Sequence, residues 1–353
     1  MEKVKVGFYR IQRCGYYGGP RNSTHKFCQI GDLLRQLHAW SKNKTFAATK
    51  IYDQVAEGEL LPAYTYSVHR HQQGDYLVTL WNQVASADEG IASVASNEVV
   101  GSARVYVNEV KSGTIPGFPS YFWFPVDTQA FANVKLQFPT GGHAQLQAYL
   151  QAFLERASSD HVVYDSGNLN TKIVGYRQQS SDEPANFFPK FRSFALRQQG
   201  LHDHILANAL HISRVRYRTL LDPSSAEDRQ WWQSMWRLIS PGSSTPVQAG
   251  PIKFEYELKT GVTPEEVRAI IAHASETEDD SWSDVGFDMR GKNSTFWLSK
   301  SYARGEFDLD VNRGSYVIVD GSSLLDALVA RRVELLSLMQ DGQWSHPQSV
   351  PPP

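Results

Sequence analysis

The sequence predicts an α+β protein: a mostly β N-terminal globular domain, then a smaller strand–helix–strand domain and a C-terminal helix. Three observations carry this. Short runs with period-two alternation recur through the first half of the chain. Helical periodicity is confined to a few separate stretches. A Pro/Gly/Ser-rich segment, Pro241–Pro251, divides two regions of different pattern. The 353 residues suffice for two to three domains at about 150 residues each. The expected boundaries are 1–250, 251–341 (a smaller mobile domain with the C-terminal helix) and a disordered tail, 342–353.

Taken in order, Lys3–Ile11 alternates as a strand and is followed by a Gly/Arg-rich loop, Arg13–Lys26. Gln29–Trp40 predicts an amphipathic helix with Leu33, Leu34 and Leu37 on one face. Strands follow at Phe46–Tyr52, Tyr64–His71, Asp75–Trp81, Ala103–Val110, Tyr121–Val126 and Val134–Phe138, with turn residues between them. Gly141–Ala157 reads as a helix, apolar at Leu146, Tyr149, Leu150, Phe153 and Leu154. Lys172–Tyr176 and Lys190–Arg197 read as strands, and Leu201–His211 as a helix. Val215, Tyr217 and Thr219 then alternate with Arg214, Arg216 and Arg218 along a further strand. Ala226–Ile239 is a Trp-rich helix. Beyond the linker, Ile252–Leu258 is a strand, and Thr263-Pro-Glu-Glu266 is a capping-box helix start running to about His273. Val285–Met289, Ser294–Leu298 and Tyr316–Val319 are strands, and Ser322–Leu338 is the last helix.

Hydrophobic residues at 41 % and charged residues at 20 % exclude a disordered chain. A formal net charge of −2 excludes a uniformly basic nucleic-acid coat. No apolar run approaches the roughly 18 residues a membrane helix needs. The opening MEKVKVGFYRI has no continuous apolar core, so no secretion signal is expected. Cys14 and Cys28 cannot form a disulfide framework for a chain of this size, which fits a reduced, cytoplasmic setting.

Charge is segregated along the chain. Residues 1–50 carry ten Lys/Arg against two acids, and 166–220 carry eight against three. Residues 51–130 carry three against nine, and 221–353 twelve against twenty. A polyanion feels the local field within a Debye length of roughly 8 Å, so two basic segments folded together would form a binding face. The alternative is that these cations pair with the acidic segments.

Gly286-x4-Gly291-Lys292 has phosphate-loop spacing, but Asn293 follows where Ser or Thr should hold Mg²⁺, and a strand follows where a helix is needed. A charged β-turn is the better account. Glu257-x-Lys259 matches half of a nuclease metal site, with Asp222 the nearest upstream carboxylate. Alternating charges on an exposed strand explain Glu255, Glu257 and Lys259 more simply. His69-x-His71 and His202-x-His204 lack a third metal ligand at suitable spacing. No catalytic residues, metal site or cofactor are predicted.

The strongest positive feature is Lys190–Arg218. Lys190, Arg192 and Arg197 sit among Phe187, Phe188, Phe191 and Phe194. Arg214, Arg216 and Arg218 fall on one side of a strand at about 6.6 Å spacing, which suits a phosphate backbone. The competing account is an amphipathic strand whose Arg stems cover apolar surface. With Arg13, Arg21, Lys26, Lys42 and Lys44 of the basic N-terminal segment, these are the candidate nucleic-acid-binding residues.

Gly7-Phe8-Tyr9, Gly117-Phe118-Pro119-Ser120-Tyr121-Phe122, Asp127-Thr128, Phe131-Ala132 and Pro139-Thr140 resemble the RexA phage-exclusion proteins. The later order of elements is similar: a Gly200–Leu210 helix, a Phe254–Ala272 strand–helix unit and a last helix with Ala330-Arg331-Arg332. The chain is longer than the family's phage member around 11–27 and 222–250. The resemblance implies a cytoplasmic homodimer binding double-stranded DNA without sequence preference, with one larger and one smaller mobile domain. It is similar in turn to the ring-forming recombination protein RdgC. It also implies a prophage exclusion system with a membrane-protein partner, and no catalytic residues. The rival expectations are a Mg²⁺-dependent nuclease using Glu257 and Lys259, and a protein-interaction adaptor using the Trp231–Trp236 helix.

Overall fold

Strand β1 (Glu2–Tyr17) is 16 residues long and continues into what the sequence reads as a loop from Arg13. In the computed structural model it is followed by β2 (His25–Phe27), α1 (Ile30–Ser41), β3 (Ala63–Arg70) and β4 (Tyr76–Gln83). Next come β5 (Ala92–Ala95), β6 (Val105–Tyr106), β7 (Thr114–Phe124), β8 (Ala130–Lys135) and α2 (His143–Ala152). Then follow β9 (Val162–Tyr164), β10 (Ile173–Tyr176), β11 (Phe188–Ala195), α3 (Gln199–Ala207), β12 (Ile212–Leu221) and β13 (Ile252–Leu258). The chain ends with α4 (Pro264–Glu276), β14 (Asp284–Met289), β15 (Thr295–Trp297), β16 (Arg304–Leu309), α5 (Gly321–Ala330) and α6 (Arg332–Ser337). The structure describes residues 1–19, 24–54, 60–84, 92–106, 111–136, 142–165, 172–196, 199–221, 252–258, 261–276, 284–291, 295–298, 303–315 and 317–339. The Trp-rich segment 226–239, the linker 241–251 and the tail 342–353 lie outside them.

The α+β class holds, but the domain boundary differs from the expected one at 250. One unit is Met1–Leu196 with Ala303–Met339; the other is Arg197–Tyr302 with Gln340–Pro353. Strand pairing explains both shifts. β12 pairs with β13 and β14, so the strands flanking the linker share one sheet. β16 pairs with β1 from Glu2↔Leu309 to Gly7↔Arg304, returning the C-terminal helices to the first unit.

The first unit is built on an antiparallel sheet of order β11-β1-β8-β7-β4-β3, with β16 and β2 on β1 and β5–β6 on β7. α1 and α2 cover one face: Leu33, Leu34, Leu37, Leu146 and Leu150 pack with Cys14, Tyr16, Phe131 and Phe191. α5 and α6 cover part of the other: Leu324, Leu325, Leu328 and Leu335 pack with Val4, Val6 and Phe8. Even-numbered β1 residues thus face α5 and α6 as far as Phe8, yet Cys14 and Tyr16 face α1 and α2. The register shift between Ile11 and Arg13 reverses the parity.

Other departures have local causes. The expected Phe46–Tyr52 strand is a 3-10 turn, Ala47–Thr49, because Phe46 is buried and Thr49 Oγ1 donates to its carbonyl (2.7 Å) while accepting from Thr65 N (3.0 Å). The last helix is interrupted at Arg331 (φ −108°), whose Nη1 donates to the Asp308 carbonyl at 3.0 Å. Buried Asp75 accepts from Trp123 Nε1 at 3.1 Å and from Arg332 Nε at 3.0 Å, tying α6 to the sheet.

The second unit is a four-stranded antiparallel sheet, β13-β12-β14-β15. Its core gathers Ile205, Ala209, Ile212, Val215, Val267, Phe287 and Phe296 from the sheet, α3 and α4. The capping box forms: Thr263 N donates to Glu266 Oε2 (2.8 Å) and Glu266 N to Thr263 Oγ1 (3.2 Å).

The chain leaves the first unit after Leu196 and rejoins it at Ala303, and both residues are pinned to β1. Leu196 N donates to Phe8 O (2.8 Å), Phe8 N to Ala303 O (2.9 Å) and Ala303 N to Leu196 O (2.9 Å). The second unit is therefore an insertion with adjacent ends. Replacing 197–302 by a short Gly/Ser linker is expected to leave the first unit folded, with one cooperative thermal transition and a native near-UV circular dichroism signal. Loss of that signal would show that the insertion is needed for the first unit's packing.

Candidate nucleic-acid interface

On either side of the shift at Gln12, β1 and β11 pair as Arg10↔Phe194 before it and Arg13↔Arg192 and Gly15↔Lys190 after it. Directly opposed residues in antiparallel strands share a face, and Phe191 and Ser193, one step out of phase on β11, face α2. The outward face therefore carries Arg10, Arg13, Lys190, Arg192 and Phe194. Steps along β11 are about 6.6 Å, and the strands lie about 4.8 Å apart. Arg10 and Arg192 are exposed and Arg13 and Lys190 half-buried. Among the described residues none of the four cations is in an ion pair. Arg13 sits over the Tyr17 ring at 5.6 Å. Like charges directly opposed across a strand pair cost roughly 0.2–1 kcal/mol, so the Arg13–Arg192 juxtaposition is unfavourable by itself.

The strip has a rigid support. β11 is an edge strand, and α2 satisfies its outer edge with side chains in place of a neighbouring strand. Phe191 N donates to Gln151 Oε1 (2.7 Å), Ser193 N donates to Gln147 Oε1 (2.9 Å), and Gln151 Nε2 donates to Pro189 O (2.9 Å). Gln147 and Gln151 are one helical turn apart, which meets the two-residue step of the strand. His143 lies 2.9 Å from Ser193 Oγ and stacks on Tyr9 at 4.2 Å between centroids. Burial pulls its imidazole down to about 4.

The sequence-predicted residues divide. Arg13, Lys190 and Arg192 fall on the strip. Exposed Lys26 lies on β2, which joins β1 at Tyr16 and Tyr17, at the end of the same strip. Gly15 (φ +108°) permits this: a Cβ there would sit 2.1 Å from the Cys28 carbonyl oxygen. Lys42 and Lys44 follow α1, on the opposite side of the sheet, and Lys44 Nζ sits over Trp40 at 4.8 Å. Arg21 and Arg197 lie outside the described residues. Arg10 is not among the sequence-predicted residues: it lies inside the expected strand Lys3–Ile11 and stands out only once the bulge sets it beside Arg13.

The arginine row of β12 is corrected by the structure. The three guanidiniums do line one side of the strand, but each meets carboxylates of the neighbouring strands. Arg214 Nη1 lies 3.4 Å from Glu257 Oε2, and Arg218 Nε lies 2.9 Å from Glu255 Oε2. Arg216 meets Asp288 at 2.9 Å, Glu255 at 3.5 Å and Glu257 at 3.6 Å. Arg218 also stacks over Trp297 at 3.7 Å. Burial raises the Asp288 pKa, but hydrogen bonds from Thr295 and Arg216 outweigh it and leave the carboxyl below its usual range. The row is neutralised within its own sheet, and it belongs to a different unit from the strip.

The remaining motifs resolve simply. β14 and β15 pair antiparallel from Gly286↔Trp297 to Asp288↔Thr295, so the motif is followed by a strand and not by the helix a phosphate loop needs; Lys292 itself lies outside the described residues. Glu257 lies against two guanidiniums, while Lys259 and Asp222 lie outside the described residues. No group of three or more potential metal ligands occurs among the described residues. Burial raises the thiol pKa of Cys14 and pushes that of Cys28 up to about 12, so neither is an activated nucleophile. Among the described residues no helix is long and apolar enough to cross a membrane. Comparison with known protein families, characterised proteins and solved structures finds no match in any of the three.

His143 gives the support of the strip a pH dependence. Above its ordinary value of 6.5 both folded and unfolded states hold it neutral, and it contributes no pH dependence. Between 6.5 and about 4 the unfolded chain takes up a proton that the folded chain excludes, so stability falls as pH falls. The loss from this group approaches about 3 kcal/mol near pH 4. Urea unfolding at a series of pH values is expected to show a shallower acid-side slope for His143→Gln than for the parent. Parallel slopes would mean that His143 is not held neutral.

Proposed function

We propose that the chain binds double-stranded DNA without sequence preference, through phosphates lying along the β1–β11 strip. One observation carries the reading: Arg13 and Arg192 stand directly opposite each other, flanked by Arg10 and Lys190, with no carboxylate paired to any of them among the described residues. An anion relieves that repulsion. A phosphate backbone supplies anions in a row and gains further from counterion release.

The resemblance to RexA phage-exclusion proteins supplies the wider setting of the proposal: a cytoplasmic homodimer of a phage-exclusion system, with a membrane-protein partner. The nuclease reading has less behind it, since Glu257 is engaged by Arg214 and Arg216. The Trp231–Trp236 helix on which an adaptor would rely lies outside the described residues.

Gel shifts of a random duplex across a salt series test the proposal. Affinity is expected to fall steeply with salt. The Arg13→Ala/Arg192→Ala variant is expected to bind more weakly and to lose about two units of the log–log salt slope. The Arg214→Ala/Arg216→Ala/Arg218→Ala variant is expected to keep the parental slope. A strip variant indistinguishable from the parent, or a parent that binds no duplex at low salt, would overturn the assignment.

A further inference from the structure

Phe194 is 43 % exposed on the cationic face. A single exposed apolar side chain is ordinary on a protein surface. What distinguishes Phe194 is its company. Its cross-strand partner is Arg10, and Arg192 lies two residues back on the same face of the same strand. The other aromatic residues of β11 are less open: Phe191 is fully buried under α2, and Phe188, opposite Tyr17 at the far end of the strip's face, is half-buried. Among the described residues of β11, Phe194 is thus the exposed aromatic ring on this face, with Arg10 across from it and Arg192 two residues away.

We infer that Phe194 is a base-stacking residue, so that the strip holds an unpaired stretch of DNA more tightly than a closed duplex. The inference rests on the phosphate-binding reading above and extends it from backbone to base. The strip is two strands wide, about 4.8 Å between their axes, and therefore follows one phosphate chain. The bases attached to that chain pass over the sheet beside it. In a closed duplex their faces are already stacked on one another, and only phosphates are available to the strip. Where the partner strand is missing, a base face is free to lie on the ring. A charged strip combined with an aromatic platform is the arrangement that binds single strands without reading their sequence. A duplex is then held by phosphates alone, and a gap adds one stacked base.

Fluorescence anisotropy on the full chain tests this, with a labelled closed duplex and the same duplex carrying a short single-stranded oligothymidine gap. The parent is expected to prefer the gapped DNA by roughly tenfold or more at one salt concentration. Phe194→Ser is expected to abolish that preference while keeping closed-duplex affinity and its salt slope, and Phe194→Tyr to retain the preference. The exposure of Phe194 makes an effect on folding small, and matching thermal midpoints check it. Equal parental affinity for the two DNAs, or a preference surviving in Phe194→Ser, overturns the stacking role and leaves phosphate binding standing. If neither DNA binds at low salt, the phosphate reading falls and the stacking role falls with it.

Discussion

One extra residue in β1 sets the character of the first unit. Up to Phe8 the even positions of the strand fill the core beneath α5 and α6. Past the register shift at Gln12 the even positions Cys14 and Tyr16 fill the core beneath α1 and α2. A regular strand would keep one parity throughout, because side chains alternate with period two. It would bury Arg13 under α1 and α2 and turn Cys14 and Tyr16 outward. An unpaired buried guanidinium costs several kcal/mol, so regular pairing and the observed core are incompatible. The bulge lets a single 16-residue strand serve two cores on opposite faces. The same step brings Arg10 and Arg13, three apart in sequence, onto one face.

The second consequence of β1 is topological. Its one edge pairs with β16 along Glu2–Gly7 and with β11 along Tyr9–Tyr17. These two partners are separated by more than a hundred residues of chain but meet end to end at Phe8. Each unit has its own apolar clusters, and among the described residues no cluster mixes residues of both. Separate cores joined at adjacent ends are the conditions under which a domain insertion is tolerated. Function assigned to the strip therefore depends on the first unit's own packing.

Sequence reading succeeded where the signal is local. The Leu33–Leu37 stripe of α1 and the Thr263–Glu266 box of α4 each depend on residues a few positions apart. It failed where the deciding partner is distant. β16 alternates Glu306 and Asp308 with Phe307 and Leu309 but is short and flanked by charge, and only pairing with β1 makes it a strand. The domain boundary depends on that same pairing. The candidate site was half legible. Basic residues in 1–50 and 166–220 do converge, at Arg13 and Arg192. Lys42 and Lys44 share only sequence proximity with them, and the sheet separates them. In the sequence Arg214–Arg218 and Glu255–Glu257 are two separate alternating runs. They are the two halves of one cross-strand lattice, and neither half alone contains the register that joins them.

Ion-pair accounting decides which arginines a polyanion can use. A phosphate approaching Arg216 must compete with Asp288 at 2.9 Å and with Glu255 and Glu257 nearby. Displacing them exchanges one anion for another and leaves those carboxylates to be resolvated, so little free energy remains to be gained. The carboxylates also stay within a Debye length and repel the incoming backbone. The strip is different in kind. Its cations hold no carboxylate among the described residues, Arg13 and Arg192 repel each other, and a phosphate between them removes that repulsion while releasing condensed counterions. The same residue type at the same strand spacing is thus structural in one sheet and available in the other. The difference lies in the neighbouring strands: β13 and β14 bring Glu and Asp to β12, whereas β11 brings Lys and Arg to β1.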